Sequence, residues 1–193
     1  MTAQIADTVT LDGVSYDIIG VDAPGLPRPE DFSLQPRSIH TGCWRGFFLD
    51  FVCAKGRLHL NRLSIGEGDG VRPRVASARS ARSRGDGHWH YQFPNHPVAY
   101  SGRLLLGAEF IQERYVHMGI QSADAFLKVL EVTFREGRVD AQVDLSCEAA
   151  ALREEPGAKN IESVAPRLAA WLSAPFSLGP ARRTETLPPQ EVS

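Results

Sequence analysis

The segment His40–Ile65, HTGCWRGFFLDFVCAKGRLHLNRLSI, carries two alternating apolar runs on either side of a Lys55-Gly56 pair. An X-Gly pair in that setting predicts a β-hairpin, because a two-residue turn needs positive φ at both positions. With this turn Cys53 falls opposite Leu58 and Phe51 opposite Leu60. Phe47, Leu49, Phe51, Cys53, Leu58 and Leu60 then share one apolar face. Asp50, His59 and Asn61 go to the reverse face with Phe48, Val52 and Leu63. A four-residue loop over 54–57 would keep the same pairing.

Two more X-Gly pairs repeat the pattern. Around Asp12-Gly13, Leu11 faces Val14 and Val9 faces Tyr16, which puts Val9, Leu11, Val14, Tyr16 and Ile18 on one side. Around Glu136-Gly137, Phe134 opposes Val139, Val132 opposes Ala141 and Leu130 opposes Val143. The reverse side of that hairpin, Val129, Glu131 and Thr133 against Asp140, Gln142 and Asp144, reads as wet. Between the first two hairpins, Pro24, Pro27, Pro29 and Pro36 mark an extended connection.

After the central hairpin, the span from Gly66 to Gly87 holds Arg72, Arg74, Arg79, Arg82 and Arg84 with almost no apolar periodicity. It reads as a mobile loop. A short strand is expected at His88–Phe93, ended by Pro94 and Pro97, and another at Val98–Leu106, interrupted at Ser101-Gly102. Ala108–Met118 suggests a helical turn followed by a strand at Tyr115–Met118. Cys147–Glu154 has helix propensity, and Pro166 suits the first turn of a second helix whose Leu168, Trp171 and Leu172 would pack on the sheet. The polar, proline-rich tail, 179–193, reads as disordered.

The pattern predicts a β-dominated α+β domain over 1–178. Its mostly antiparallel sheet would form a partly closed barrel or a sandwich, with one or two short C-terminal helices. Apolar residues make up 42% and charged residues 23% of 193, which suits one globular domain with a sizeable core. A net charge of −2 speaks against a generally basic nucleic-acid binder. No apolar run is long enough to predict a transmembrane helix, and the N-terminus has no signal-peptide pattern. Cys43, Cys53 and Cys147 follow no metal or redox spacing. An odd number of thiols suits a reducing, cytoplasmic setting.

Three groups of residues could carry chemistry. His88 and His90, two apart on a strand, point the same way and could reach one metal, with His96 as a third ligand and Glu109 as the nearest carboxylate. Without a fixed fourth ligand, the plainer expectation is two solvent-facing histidines flanking a buried Trp89, and no metal or other cofactor. Cys43 has Arg45 two residues on and His40 three before, which could lower a thiol pKa, and His117 could serve as its base. The plainer alternative is a small buried cysteine, with Arg45 capping strand ends or paired to a buried carboxylate. Arg79, Arg82 and Arg84 could grip phosphates beside Trp89 and Tyr91. No nucleic-acid fold signature accompanies them, so a solvated loop is the expectation. P-loop, dinucleotide-binding, zincin and nucleophile-elbow motifs are absent from the sequence.

Two segments, TGCWRGFFLDFV (Thr41–Val52) and SGRLLLGAEFIQERYVHMGIQ (Ser101–Gln121), together resemble a family of small β-rich bacterial proteins. That family is marked by a Cys-x-Arg-Gly-aromatic segment and a later Tyr-x-His-Met-Gly. The resemblance covers about Val14 to Leu145, with the arginine-rich span as an insertion. It implies a β-rich fold and a bacterial cytoplasmic origin, and carries over neither activity nor site residues. The functional expectation is therefore a non-enzymatic binding or accessory protein, with an unidentified protein as a possible partner. The alternative is an enzyme or small-ligand-binding barrel using Cys43, Arg45 and His117.

Overall fold

The computed structural model describes residues 3–38, 40–66, 74–82, 88–117, 119–154 and 161–173. Among them, nine strands form one mixed, mostly antiparallel sheet: β1 (Thr8–Leu11), β2 (Val14–Val21), β3 (Phe47–Ala54), β4 (Arg57–Gly66), β5 (Arg79–Arg82), β6 (His88–Pro97), β7 (Gly102–Phe110), β8 (Phe126–Arg135) and β9 (Arg138–Asp144). Their order is β3-β1-β2-β7-β8-β9-β4-β6-β5, and β3 also pairs with β4. The sheet thus curls into a ring. It is not a barrel, because β6 occupies β4 from His59 to Gly66 and leaves only Arg57 to pair with Arg138 of β9. Short helices follow: α1 (Ser146–Glu154), α2 (Ile161–Val164) and α3 (Pro166–Ser173). The chain is β-dominated α+β, as the pattern implied.

All three X-Gly pairs are tight turns with both residues at positive φ: Asp12 and Gly13 at 50° and 81°, Lys55 and Gly56 at 52° and 70°, Glu136 and Gly137 at 49° and 73°. Leu11 pairs with Val14 and Val9 with Tyr16, while Phe51 pairs with Leu60 and Cys53 with Leu58. Two bulges then change the register. One lies between Asp50 and Phe51, so that Leu49 meets Leu63, and Leu63 joins the core instead of the reverse face. The other lies between Thr133 and Phe134. Phe134 still meets Val139, but Ala141 pairs with Thr133 and Val132 with Gln142. The expected Val132/Ala141 and Leu130/Val143 pairs do not form, because an extra residue in one strand moves every later partner by one.

Two cores result. Inside the ring lie Val9, Tyr16, Leu49, Phe51, Leu58, Leu60, Leu63, Tyr91, Leu104, Leu106, Val132 and Phe134. On the outer face, Ile19, Leu105, Phe126 and Val129 meet Leu145, Ala149, Leu168 and Trp171 of the helical segment. The reverse side of β8, expected to be wet, is therefore covered: Val129 is fully buried and Glu131 is 3% exposed. Glu131 accepts a hydrogen bond from Trp171 Nε1 at 2.7 Å and from Arg103 Nη1 at 3.2 Å, so the charge is satisfied. The Arg103 guanidinium also lies over the Trp171 ring at 5.1 Å. Gly20 makes room for that ring, since a Cβ there would come within 2.9 Å of it. Leu172, by contrast, is exposed.

Helix α1 begins where Asp144 accepts hydrogen bonds from the Ser146 hydroxyl and, at 2.8 Å, from its N–H, an arrangement that holds the Asp144 carboxyl below its ordinary range. Glu148 reaches from α1 to accept the N–H groups of Arg167 and Leu168, each at 3.0 Å, and so caps α3 just after Pro166. Within the arginine-rich span, Arg79–Arg82 is a strand paired with Trp89–Gln92 instead of loop. The edge of β6 offers unpaired backbone groups, which a short polar segment can take up without burying side chains. The remainder of that expected mobile loop at 67–73 and 83–87, and the expected disordered tail at 179–193, lie outside the described residues. Strand β6 runs on to Pro97, past the proline expected to end it, and no strand forms over 115–117. A single helical turn, Gln112–Arg114, precedes that stretch as expected.

The inner core gives a direct test. Phe51 is 1% exposed and Leu127 is 53% exposed. Phe51→Ala is expected to cost about 3–5 kcal/mol in urea unfolding, and Leu127→Ala to fall within about 0.5 kcal/mol of wild type. Similar losses for both would contradict the placement of Phe51.

Candidate functional site

The N-terminal segment before β1 runs between two loops and is held by both. Ile5 N–H donates to the Gly42 carbonyl and Gln4 N–H to the Gly119 carbonyl, each at 2.8 Å. The Gln4 side-chain amide donates to the Thr41 carbonyl and accepts from Trp44 N–H, both at 2.9 Å. Gln121 does the same for its own loop, accepting from Val116 N–H at 2.9 Å and donating to the Val116 carbonyl at 2.8 Å. Asp7 anchors the segment. Its buried carboxylate accepts Arg45 Nη1 at 2.9 Å, Arg45 Nη2 at 2.6 Å and the Leu49 N–H at 2.6 Å. A bidentate guanidinium and a backbone donor together satisfy a charge that would otherwise be costly to bury.

Between this segment, β2 and the 110–126 region lies a cleft of about 300 Å³, with Ile5, Asp17, Ile19, Phe110, Tyr115 and Phe126 in its walls. Its position follows from strand alternation. Tyr16 and Ile18 point into the ring, so Asp17 and Ile19 take the outer face, and the bulge between Ile18 and Gly20 keeps Gly20, opposite Leu105, on that face as well. Gly107 stands opposite Asp17 on β7, and the Phe126 ring fills the space a Cβ at Gly107 would need, 2.6 Å away. The aromatic rings of Phe110 and Phe126 pack edge-to-face at 5.5 Å, and Tyr115 meets Phe110 at 6.4 Å.

Among the described residues Asp17 is the one charged residue lining this cleft. Thr8, its neighbour across β1, gives its hydroxyl to Asp50 at 2.7 Å instead. Among the described residues Asp17 has no hydrogen-bond or ion-pair partner. Burial raises its carboxyl pKa above the ordinary aspartate value, with no compensating charge.

The residues singled out from sequence are placed as follows. Cys43 is 1% exposed, its thiol donates to the Phe47 carbonyl at 3.4 Å, and burial pushes its pKa up more than the Arg45 charge pulls it down. Arg45 is engaged with Asp7 and lies over the Phe47 ring at 4.8 Å. His117 is exposed and packs edge-on against Tyr115 at 5.1 Å; it shares no hydrogen bond with Cys43. His88 and His90 do lie on one face, rings stacked at 6.4 Å, but their surroundings differ from the plain expectation. His88 is buried against Phe48 and His40, while Trp89 is partly exposed. The reason is that the rings of Phe48 on β3 and of His40 meet His88 edge-on. His90 Nδ1 is hydrogen-bonded to the Ser64 hydroxyl at 2.7 Å, and His96 packs elsewhere, on Phe32 and Phe93. Glu109, at φ 59°, accepts from Lys128 at 3.2 Å. No group of three or more His, Cys, Asp or Glu is placed to hold a metal among the described residues. Arg79 is exposed on the edge strand, the backbone of Arg82 ends that strand, and Arg84 lies outside the described residues.

Sequence reasoning missed both Asp7 and Asp17. In Asp17 the available signal was an acid inside the run YDIIGV, where both faces of the strand are apolar. No protein-family model, curated protein or solved structure matches this chain. No helix among the described residues is long and apolar enough to cross a membrane.

Two outcomes are expected. Because the folded-state pKa of Asp17 is raised, its ionised form disfavours folding above that pKa, and the penalty fades as pH falls through it. Asp17→Asn should therefore melt higher than wild type at pH 7, with the gap closing in acid; a lower melting temperature at pH 7 would contradict the desolvation of Asp17. Among the three free thiols, a thiol reagent should modify exposed Cys147 first and Cys43 last, with Cys43 reacting promptly only in denaturant. Equal native rates for Cys43 and Cys147 would refute the burial of Cys43.

Proposed function

We propose that this is a non-enzymatic binding protein, and that its binding site is the apolar cleft beside the N-terminal segment. The carrying observation is the cleft itself: about 300 Å³, walled mostly by aromatic and aliphatic side chains, with Gln4, Thr8, Gln121 and the Asp17 carboxylate among them. That composition is characteristic of ligand sites, which combine an apolar lining with few polar groups that fix orientation. Two of its lining apolar side chains, Ile5 and Tyr115, stand out to solvent. A soluble domain gains nothing in stability from exposing such residues together.

The alternative reading, an enzyme or ligand-binding barrel using Cys43, Arg45 and His117, has less support. A nucleophile needs an accessible thiolate, and this thiol is buried with its pKa raised. The nearby Arg45 guanidinium is committed to Asp7. We further propose a bacterial cytoplasmic setting, supported by three unpaired cysteines and by the family resemblance of the Thr41–Val52 and Ser101–Gln121 segments.

A titration of the ¹⁵N-labelled full chain with fragments of mixed charge tests the cleft. Bound fragments should shift the amides of Ile19, Ile120 and Gln121, and Ile120→Trp, which fills the cleft, should abolish those shifts while leaving the rest of the spectrum in place. Binding that survives Ile120→Trp, or shifts confined to another face, would sink the proposal.

A further inference from the structure

Resting on the reading of this cleft as a binding site, we infer that it takes a small organic cation, a protonated amine carried on an apolar body, whose ammonium meets the Asp17 carboxylate. The charge pattern of the walls is the first argument. Among the described residues Asp17 is the cleft's one charged group, and no Lys, Arg or His of those residues lines it to hold an anion. An anionic ligand would face an uncompensated like charge in a partly desolvated space.

The second argument is that the other polar groups around the cleft are already used. The Gln4 amide is spent on Thr41 and Trp44, the Gln121 amide on Val116, and the Thr8 hydroxyl on Asp50. The Tyr115 oxygen accepts the Ala3 N–H at 3.3 Å. Asp17 alone is left with its acceptor capacity unspent among the described residues. A neutral ligand would bury that carboxylate further without compensation, whereas an ammonium compensates it by a charge-assisted hydrogen bond.

The third argument is shape. Asp17 and Ile19 share the outer face of β2, with the rings of Phe110 and Phe126 beside them. A ligand with its amine at Asp17 can lay an aromatic or aliphatic body across Ile19 and these rings, with Tyr115 also in the wall. A volume of about 300 Å³ restricts the body to roughly one ring and a short chain.

The test uses phenethylamine against 2-phenylethanol, which matches it in size and lacks the charge, on the full chain at pH 7. Amide shifts of Ile19, Ile120 and Gln121 report binding. Phenethylamine is expected to bind at least tenfold more tightly than 2-phenylethanol to wild type. Asp17→Asn should remove that difference while remaining folded, with its spectrum otherwise unchanged. If both compounds bind the cleft equally well, or if the preference persists in Asp17→Asn, the amine assignment is overturned while the cleft stands as a site. If neither probe shifts the cleft amides at millimolar concentration, both the assignment and the binding-site reading fall.

Discussion

The Asp7 carboxylate holds the ring together at its least regular point. Strand β1 is only Thr8–Leu11, yet it pairs antiparallel with β2 and parallel with β3. Parallel pairing is the weaker kind and needs a long connection, here through β2 and the proline-rich span. Asp7, one residue ahead of β1, takes the Leu49 N–H and both Arg45 donors, and its carbonyl accepts the Ile18 N–H at 2.7 Å. One residue therefore ties the approach to β1 to both of its neighbours. Cys43, Arg45 and the following glycine belong to the same arrangement. Gly46, at φ 76°, lets the chain turn against the Arg37 backbone, where a Cβ would come within 2.6 Å. The Cys-x-Arg-Gly segment thus has a complete structural role.

A sheet that curls into a ring has an inside that fills itself and an outside that needs cover. Leu104 and Leu106 face in, and Leu105 faces out. The helices cover only part of the outer face, over Ile19, Leu105 and Val129, where Trp171 lies against Gly20 and donates to Glu131. The cleft lies where the N-terminal segment and the 110–126 region, in place of a helix, border the outer face of β2. Its volume is what those elements leave unfilled around Asp17 and the Phe126 ring.

The turns were legible because their cause is local: Asp12-Gly13, Lys55-Gly56 and Glu136-Gly137 supply residues that tolerate positive φ, between alternating runs. The facing pairs closest to those turns were legible for the same reason. What lay beyond a bulge was not. Nothing local announces that Asn61, opposite the Asp50-Phe51 step, or Asp140, opposite Thr133-Phe134, is an extra residue, and each slip sends the next positions to the opposite face, as with Leu63 and Ala141. The wet reading of Glu131 failed for another reason: alternation identifies an outward residue but cannot say that a helix with a tryptophan will cover it. Asp17 was hidden by the same ambiguity. An acid at an alternate position of a strand looks like an ordinary solvated residue until the elements around it are in place.

Asp7 and Asp17 show how far neighbourhood decides what a carboxylate does. They lie at adjacent levels of one hairpin, since Asp7 receives the Ile18 N–H and Asp17 pairs with Thr8. Asp7 meets a guanidinium and a backbone donor, so its charge holds the fold. Asp17 meets Thr8, whose hydroxyl is turned to Asp50, and Gly107, which has no side chain, so its charge opposes the fold. An asparagine or serine would fill the same space without that penalty. A carboxylate that weakens the native state and has no partner among the described residues is one that a ligand of opposite charge, bound only to the folded chain, would compensate.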